Sequence, residues 1–263
     1  MTWEQMVMNK KIVEAEILLN TEIAKGIYKM ILKAKEVAEC ASCGQFVNLY
    51  PRSKHTLLPR PISICEIGED SITLVYGVVG EGTKEFSLLK EKETLKVSTP
   101  QGKGFTPMPA QTAVLVGGGI GVPPLVELAK RLECPKIAVI GFREESFLKE
   151  ELEKAGAKVY VATDSGNEGF KGNVIELIQQ EKITGDYFYS CGPKVMLKAL
   201  ADYCEELNVP IQLSMEERMG CGYGACVGCV CKTKTDAQKG YEHKKVCVDG
   251  PVFLGTEVIF DEE

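Results

Sequence analysis

The sequence predicts a multidomain β plus α/β protein in which a β-barrel, a doubly wound parallel-sheet domain and a small cysteine-rich domain follow one another. Three observations lead to this prediction. Short β-like runs fill the N-terminal part, strands then alternate with helices, and closely spaced cysteines lie near the end. These changes of pattern place the three predicted domains at residues 1–107, 108–213 and 214–263.

The N-terminal domain is predicted to be a Greek-key barrel. Short β-like runs, separated by turn residues, lie at positions 12–18, 27–32, 45–49, 61–67 and 71–76. Several short strands at regular spacing are typical of an antiparallel barrel or sandwich. A proline- and glycine-rich connection over residues 94–105 ends this region and marks the domain boundary.

The second domain is predicted to hold a parallel sheet with helices on both faces. An apolar strand at 113–117 runs into a glycine turn, and Pro123 follows where a helix can begin. Strands and helices then alternate up to residue 207. Such alternation indicates a doubly wound sheet, whose ligands bind at the carboxyl ends of the strands.

The composition is that of an ordinary globular protein, since 44% of the 263 residues are hydrophobic and 26% are charged. The net charge of −6, with acidic and basic residues interleaved, does not favour binding to nucleic acid or to a membrane surface. No apolar run has membrane-spanning length. The 11 cysteines, without a secretory signal at the N-terminus, favour a reducing compartment, and we expect a cytoplasmic protein.

The cysteines of the third domain predict a [2Fe-2S] cluster. Cys221, Cys226 and Cys229 have the spacing C-x4-C-x2-C, and Cys247 supplies a distant fourth thiol, which is the plant-type ligand pattern for such a cluster. A structural zinc site is the alternative, although it usually shows two C-x2-C pairs. Cys231 is a fifth thiol nearby, and the spacing favours Cys229 over it as a ligand. We interpret this stretch as an electron-transfer centre.

Weaker motifs lie in the barrel region. The Arg-Pro-Ile-Ser run at residues 60–63 puts a fixed cation and a hydroxyl at the start of a strand, which suits a flavin and its phosphates. The Gly-Glu-Gly-Thr run at 80–83 is predicted to be a tight turn that lets backbone amides approach a pyrophosphate. Either run alone is more often structural. Cys40 and Cys43 form another C-x2-C pair, and without a partner pair we expect two packed or idle thiols.

The strand–turn–helix unit of the second domain is a candidate dinucleotide site. A helix N-terminus presented by a glycine turn binds phosphate, and the turn comprises Gly117, Gly118, Gly119, Ile120 and Gly121. A second strand end carries Cys191, Gly192 and Pro193, so the two segments could line one crevice, although Cys191 alone could be a packed thiol.

The choice between NAD and NADP stays open. The strict G-x-G-x-x-G fingerprint is absent. Arg143, which would favour a 2′-phosphate, is followed by the two acids Glu144 and Glu145.

Hydrolytic chemistry is disfavoured because neither of the two histidines, His55 and His243, lies near a serine or cysteine motif. Hydride transfer between flavin and nicotinamide needs stacked rings in a shielded cleft more than a protein acid or base, because the cofactors carry the chemistry.

In this order, the barrel motifs, the glycine turn, Cys-Gly-Pro and the cysteine loop resemble the ferredoxin reductase superfamily. They are more closely similar to the electron-transfer subunits of B-type dihydroorotate dehydrogenases, the most specific parts being residues 116–125, 221–226 and 246–253. The resemblance implies FAD, one [2Fe-2S] cluster and NAD as co-substrate. It also implies a catalytic partner subunit that holds FMN and oxidises dihydroorotate in pyrimidine biosynthesis, in a heterotetramer of two subunits of each kind. Electrons would pass from FMN through the cluster to FAD and NAD⁺.

The resemblance also implies which residues bind the cofactors. The flavin contacts would be Arg60, Pro61, Ile62, Ser63, Val75, Tyr76, Gly77, Gly82 and Thr83. The cluster ligands would be Cys221, Cys226, Cys229 and Cys247. Two positions depart from the family pattern. Relatives often have a basic residue at the position of Gly77 and commonly have a proline at the position of Cys43. A homologous subunit of an NAD(P)H:ferredoxin oxidoreductase or of a sulfhydrogenase is the alternative, and a zinc-stabilised nucleotide-binding module is a third.

Overall fold

The N-terminal region forms a closed antiparallel barrel. Its strands are β1 (Ile12–Ala24), β2 (Ile27–Lys33), β3 (Phe46–Tyr50), β4 (Arg60–Ile67), β5 (Ser71–Gly77) and β6 (Thr94–Ser98). They are arranged in the order β1-β2-β5-β4-β3-β6, and β6 pairs with β1 to close the barrel. Two short helices, α1 (Lys35–Ala38) and α2 (Glu81–Ser87), connect the strands. The computed structural model describes residues 11–236 and 240–260, so the outer limits predicted for the first and third domains lie outside the described residues.

The barrel is stabilised by apolar side chains that alternate along its strands and fill its interior, among them the fully buried Ile17, Met30 and Leu74. Strand β1 is longer than predicted because the polar residues around Asn20 interrupt the apolar alternation. They nevertheless pair with β2, with Asn20 opposite Met30. Pairing with a neighbouring strand therefore extends β1 beyond its hydrophobic pattern.

The second region contains a parallel sheet covered by helices. Its strands are β7 (Ala113–Gly118), β8 (Lys136–Phe142), β9 (Ala157–Thr163), β10 (Phe170–Lys171), β11 (Tyr187–Cys191) and β12 (Ile211–Ser214). They lie in the order β10-β9-β8-β7-β11-β12. The helices are α3 (Pro123–Arg131), α4 (Lys149–Lys154), α5 (Val174–Gln180) and α6 (Lys194–Glu206).

Strand β7 is buried on both faces, as expected for the centre of a doubly wound sheet. Leu115 packs in one core with Leu125 of α3, and Val116 packs in the other with Leu197 of α6. Helix α3 begins at Pro123, directly after a 3₁₀ turn at Gly119–Gly121, so the predicted strand–glycine turn–helix unit is confirmed.

The cysteine-rich region adds four short strands, β13 (Val230–Lys234), β14 (Tyr241–Lys245), β15 (Val252–Leu254) and β16 (Val258–Ile259). Strands β14, β13 and β16 form a small antiparallel sheet. Strand β15 instead pairs antiparallel with β12, at the edge of the parallel sheet. The last predicted domain therefore shares a sheet with the second.

The barrel and the parallel-sheet region are joined through β4 and helix α3. The buried Glu127 carboxylate of α3 accepts a hydrogen bond from the Ile67 backbone N–H at 2.9 Å. Lys130 of the same helix pairs with Glu66 at 2.6 Å. These contacts fix the helix that follows the glycine turn against the barrel. No helix in the described part of the chain is long and apolar enough to cross a membrane.

Candidate functional site

The four cysteines predicted to bind the cluster lie in two neighbouring segments. Cys221, Cys226 and Cys229 lie in the loop between β12 and β13, and Cys247 lies in the turn after β14. The Val246 backbone N–H donates to the Cys229 carbonyl at 2.8 Å, which holds that turn against the loop. Cys229 and Cys247 are each 1% exposed, whereas Cys221 and Cys226 are half-buried.

Backbone amides of the loop point at the sulfur of Cys221. The Cys226 N–H lies 3.4 Å from that sulfur, and the N–H groups of Tyr223 and Gly224 donate to it as well. Burial acts to raise the pKa of the Cys221 thiol, but these donors outweigh it and lower the pKa to about 6. Burial and the adjacent Cys229 thiol raise the pKa of Cys247 to about 12.

Two glycines allow the loop to take this path. Gly222 and Gly224 have φ angles of +71° and +95°, a region that side chains disfavour. A β-carbon at Gly222 would overlap the Asn48 side chain, and one at Gly224 would lie 2.6 Å from a Val248 methyl group. The loop therefore needs glycine at both positions to bring its N–H groups toward sulfur.

The residues present fit a [2Fe-2S] cluster in their chemistry. Four thiols supply the ligand type and number that the cluster requires, and N–H groups directed at sulfur stabilise its negative charge. Within residues 11–236 and 240–260, no three Cys, His, Asp or Glu side chains converge as a site for one metal ion. Cys231 lies on strand β13, where burial raises the pKa of its thiol to about 11.

The Arg-Pro-Ile-Ser run begins strand β4, as predicted. Arg60 Nη1 donates to the Leu58 carbonyl at 2.8 Å. Its guanidinium lies over Gly82, where a β-carbon would be 2.7 Å from Nε. Pro61, Ile62 and Ser63 are half-buried. The cation therefore lies between strand β4 and the first turn of helix α2.

The prediction of a tight turn at residues 80–83 is wrong, because these residues begin helix α2. The Thr83 hydroxyl accepts hydrogen bonds from the N–H groups of Val79 at 2.9 Å and Gly80 at 3.2 Å. The Thr83 side chain, three residues after the N-cap residue Gly80, thus forms one half of a capping box, since glycine has no side chain to form the other half, and this helix start was not predicted from the sequence. Thr83 is buried, and its hydroxyl caps the helix.

The flavin contacts predicted on β5 differ in burial. Tyr76 is 1% exposed, lies within the barrel core beside Tyr28, and donates its hydroxyl to Asn20 Oδ1 at 3.1 Å. Val75 is buried on the opposite side, in the core shared with helix α3, and Gly77 is half-buried. A ligand on this strand would therefore meet backbone rather than the Tyr76 ring.

The glycine turn and the Cys-Gly-Pro segment are in direct contact. Cys191 is the register partner of Gly117 in the sheet. A β-carbon at Gly121 would overlap the Cys191 carbonyl, and one at Gly118 would lie 2.8 Å from Pro193. Burial raises the pKa of the Cys191 thiol to about 12, and the Ser214 side chain partly offsets this effect. The structure thus brings together the two strand ends that the sequence placed at one crevice.

Two residues of the turn are open to a ligand. Ile120 is 41% exposed, and no atom lies within 4 Å of the position that a β-carbon at Gly119 would take. Residues 143–145 follow the end of β8 and are exposed.

Cys40 and Cys43 are separate free thiols. Cys40 is exposed and donates to the Glu36 carbonyl at 3.0 Å, whereas Cys43 is buried and donates to the Phe105 carbonyl at 3.5 Å. Cys43 is therefore a packed thiol, whereas Cys40 lies at the surface.

Comparisons with known proteins match this architecture. A family model described as the iron-sulfur cluster binding domain of dihydroorotate dehydrogenase B matches residues 216–259. The "Dihydroorotate dehydrogenase B (NAD(+)), electron transfer subunit" of Caldanaerobacter subterraneus is 41% identical over 94% of this chain and 98% of its own. The protein of the same name from Bacillus mycoides is 45% identical over 90% of this chain and 95% of its own.

This chain belongs to the dihydroorotate dehydrogenase B electron transfer subunit family.

Solved structures share the fold of this family member. The structure described as NADH-dependent reduced ferredoxin-NADP oxidoreductase superposes with a TM-score of 0.84 at 28% identity, covering 93% of this chain and 89% of that one. The ferredoxin reductase in carbazole 1,9a-dioxygenase has a TM-score of 0.64 at 18% identity, covering 78% and 69%, and shows the fold alone. The predicted family, fold class and oxidoreductase function are confirmed, and the predicted FAD, [2Fe-2S] and NAD agree with the family.

One residue that links the barrel to the cysteine loop was not predicted from the sequence. Asn48, on the barrel strand next to β4, donates its side-chain N–H to the Gly222 carbonyl of the cysteine loop at 3.2 Å. The one indication in the sequence was a single polar side chain, that of Asn48, within the apolar run Phe46–Tyr50. Only the fold shows that this amide contacts a residue 174 positions away.

Proposed function

We propose that this chain carries electrons between a catalytic partner subunit and NAD⁺, through a [2Fe-2S] cluster held by its cysteine loop and FAD held by its barrel. The observation that carries the proposal is the contact between Asn48 and Gly222. It packs the cysteine loop against strand β3, whose neighbour β4 begins with Arg60. Family membership supports the same function.

The proposed cluster ligands are Cys221, Cys226, Cys229 and Cys247. The backbone N–H groups that donate to Cys221 favour its thiolate form, which is the form that binds iron. Burial of Cys229 and Cys247 shields that side of the site from water. The opposite side, with Tyr223 48% exposed and Val227 70% exposed, is open to a partner.

The proposed flavin site lies along β4 and β5. Arg60 supplies a fixed positive charge beside the first turn of α2, suited to phosphate oxygens. When bound, FAD exchanges hydride with nicotinamide and single electrons with an iron–sulfur cluster. The residues proposed to line this site are Arg60, Pro61, Ile62, Ser63, Val75, Tyr76, Gly77, Gly82 and Thr83.

The proposed NAD site is the crevice between the glycine turn and the Cys-Gly-Pro segment. Its glycines let the two turns approach, and the open space at Gly119 leaves room for a dinucleotide. The residues proposed to line it are Gly117, Gly118, Gly119, Ile120, Gly121, Cys191, Gly192 and Pro193. We also propose domains at 1–107, 108–213 and 214–263, with β15 shared between the last two.

We propose that this chain is cytoplasmic and that its partner is an FMN-containing subunit that oxidises dihydroorotate, in a heterotetramer of two subunits of each kind. The test is co-purification of this chain with a candidate FMN subunit, followed by measurement of dihydroorotate-dependent NAD⁺ reduction. The complex should reduce NAD⁺, and the catalytic subunit alone should not. Equal NAD⁺ reduction without this chain would contradict the proposal.

A ferredoxin-linked oxidoreductase is a second candidate, favoured by the 0.84 TM-score to the NADH-dependent reduced ferredoxin-NADP oxidoreductase structure. The same preparation distinguishes the two. NAD(P)H-dependent reduction of ferredoxin, without any response to dihydroorotate, would favour this candidate.

A further inference from the structure

Asn48 is a buried polar residue in the mostly apolar strand β3. Its side chain is 0% exposed, and its backbone N–H donates to Ser98 Oγ at 2.9 Å. Its Nδ2 donates to the Gly222 carbonyl, but its Oδ1 has no hydrogen-bond partner among the described residues. Burying a polar atom without a partner is unfavourable by roughly 1–3 kcal/mol. Packing of β3 alone would be served better by an apolar side chain at this position.

The strand register places Asn48 between the two proposed cofactor sites. In the β3–β4 pair Asn48 lies opposite Pro61, the second residue of the proposed flavin strand. On its other side the amide contacts Gly222, which directly follows Cys221. No room exists for a side chain between them, because a β-carbon at Gly222 would overlap the Asn48 amide.

Asn48 and Cys221 contact opposite ends of one peptide group. The carbonyl of the Gly222–Tyr223 peptide accepts a hydrogen bond from Asn48 Nδ2, and the N–H of the same peptide donates to the Cys221 sulfur. Hydrogen bonds in such a chain polarise one another, so a donor at the carbonyl strengthens the N–H as a donor at the other end.

We propose that Asn48 is a positioning residue that acts through the Gly222–Tyr223 peptide on the Cys221 sulfur and raises the reduction potential of the cluster. The reduced cluster carries one more negative charge than the oxidised cluster, so a stronger N–H···S hydrogen bond stabilises the reduced form more. This inference rests on the proposed function, because it requires that Cys221 bind the cluster.

The test is a redox titration of the cluster, followed by electron paramagnetic resonance, in the full-length chain loaded with FAD and reconstituted with iron and sulfide. Asn48→Leu removes both polar atoms with little change of shape, and Asn48→Ala removes them without crowding Gly222. Gln101→Met is the matched control. Gln101 is also buried in the barrel, its Oε1 likewise lacks a partner among the described residues, and its Nε2 donates to a local carbonyl, that of Thr99, at 2.7 Å.

Both Asn48 variants should keep iron and FAD and lower the midpoint potential, whereas Gln101→Met should match the wild type. At the wild-type midpoint, the ratio of reduced to oxidised cluster should fall by up to about tenfold, which is the lower limit of the about 10–100-fold by which loss of an outer-shell partner changes metal affinity or activity. A wild-type potential in both variants would overturn the proposal. Loss of iron from both would also overturn it, since Asn48 would then retain the cluster rather than tune it. A wild-type chain that binds no iron would refute the proposed function itself.

Discussion

The cysteine loop and the glycine turn at residues 117–121 are both rich in glycine, yet their glycines have different roles. In the cysteine loop, Gly222 and Gly224 bend the backbone so that N–H groups reach the sulfur of Cys221. In the turn Gly119–Gly121, glycine removes side chains so that Cys191 and its neighbours can pack against the backbone. The first segment carries the proposed ligand side chains, whereas the second mainly leaves space. A site made by side chains leaves a clearer pattern in the sequence than one made by backbone.

The strongest test of this comparison removes one side-chain ligand. Cys226→Ser should abolish the cluster and with it dihydroorotate-dependent NAD⁺ reduction, because thiolate ligands hold the irons directly. Iron and acid-labile sulfide analysis, with the visible spectrum, measures the loss. Cys231→Ser is the control, since Cys231 is a buried thiol on β13 that lies outside the proposed ligand set. Equal iron loss in both variants would contradict the proposed ligand set.

A second test fills the space in the glycine turn with a side chain. Gly121→Ala places a methyl group where the Cys191 carbonyl lies, so the two turns must separate. We expect the KM for NADH to rise up to about 100-fold, as misplacement by roughly 1 Å can cause. This KM is measured from NADH oxidation by the FAD-loaded chain, with ferricyanide as the electron acceptor.

The control for that test is Gly26→Ala, in the β1–β2 hairpin, where a β-carbon meets no atom within 4 Å. Alanine at the positive φ of +73° should cost about 1–2 kcal/mol of stability without changing the KM. An unchanged KM in Gly121→Ala would show that the crevice does not bind the dinucleotide.

A smaller effect is expected at the proposed flavin site, where the Arg60 side chain supplements contacts made by the backbone. Arg60→Ala should weaken FAD binding by at least about tenfold, because a hydrogen bond to a charged group contributes about 1.5 kcal/mol or more. Fluorescence titration of the apoprotein with FAD gives the Kd. Arg52→Ala removes a barrel arginine that pairs with Glu93 at 2.7 Å and should leave this Kd unchanged. The assignment of Arg60 is wrong if the two variants bind FAD alike.

The smallest effect on activity is expected from the contact that positions helix α3. Glu127→Ala removes the acceptor for the Ile67 N–H and should lower the free energy of unfolding by about 1–3 kcal/mol. The KM for NADH should change little, because the turn itself is intact. Thermal unfolding measures the loss, and the exposed Glu144→Ala should stay within about 0.5 kcal/mol of wild type. A large rise in KM would mean that the barrel contact, not local packing, holds the turn in place.

The sequence predicted those parts of the molecule that have a local pattern. The alternation of strands and helices indicated the doubly wound sheet, and the spacing of Cys221, Cys226 and Cys229 indicated the cluster. It did not predict strand β15, because three residues carry little pattern and their pairing with β12 depends on tertiary contacts. The helix at Glu81–Ser87 was missed because its first turn contains glycine, which favours turns.

The connection between the barrel and the cysteine loop could not be predicted from the sequence at all. Asn48 and Gly222 are 174 positions apart, and no sequence motif around either residue predicts a contact with the other. Their contact depends on how three regions pack, and it brings the proposed flavin strand close to the proposed cluster.

The most direct test of electron transfer from nicotinamide to the cluster is the electron paramagnetic resonance spectrum of the anaerobic chain, loaded with FAD and reconstituted with iron and sulfide, after addition of NADH. We expect the signal of a reduced [2Fe-2S] cluster, and we expect no such signal when FAD has been removed. A reduced-cluster signal that forms equally well without FAD, or none in the fully loaded chain, would contradict the claim that this polypeptide connects nicotinamide to a cluster through a flavin.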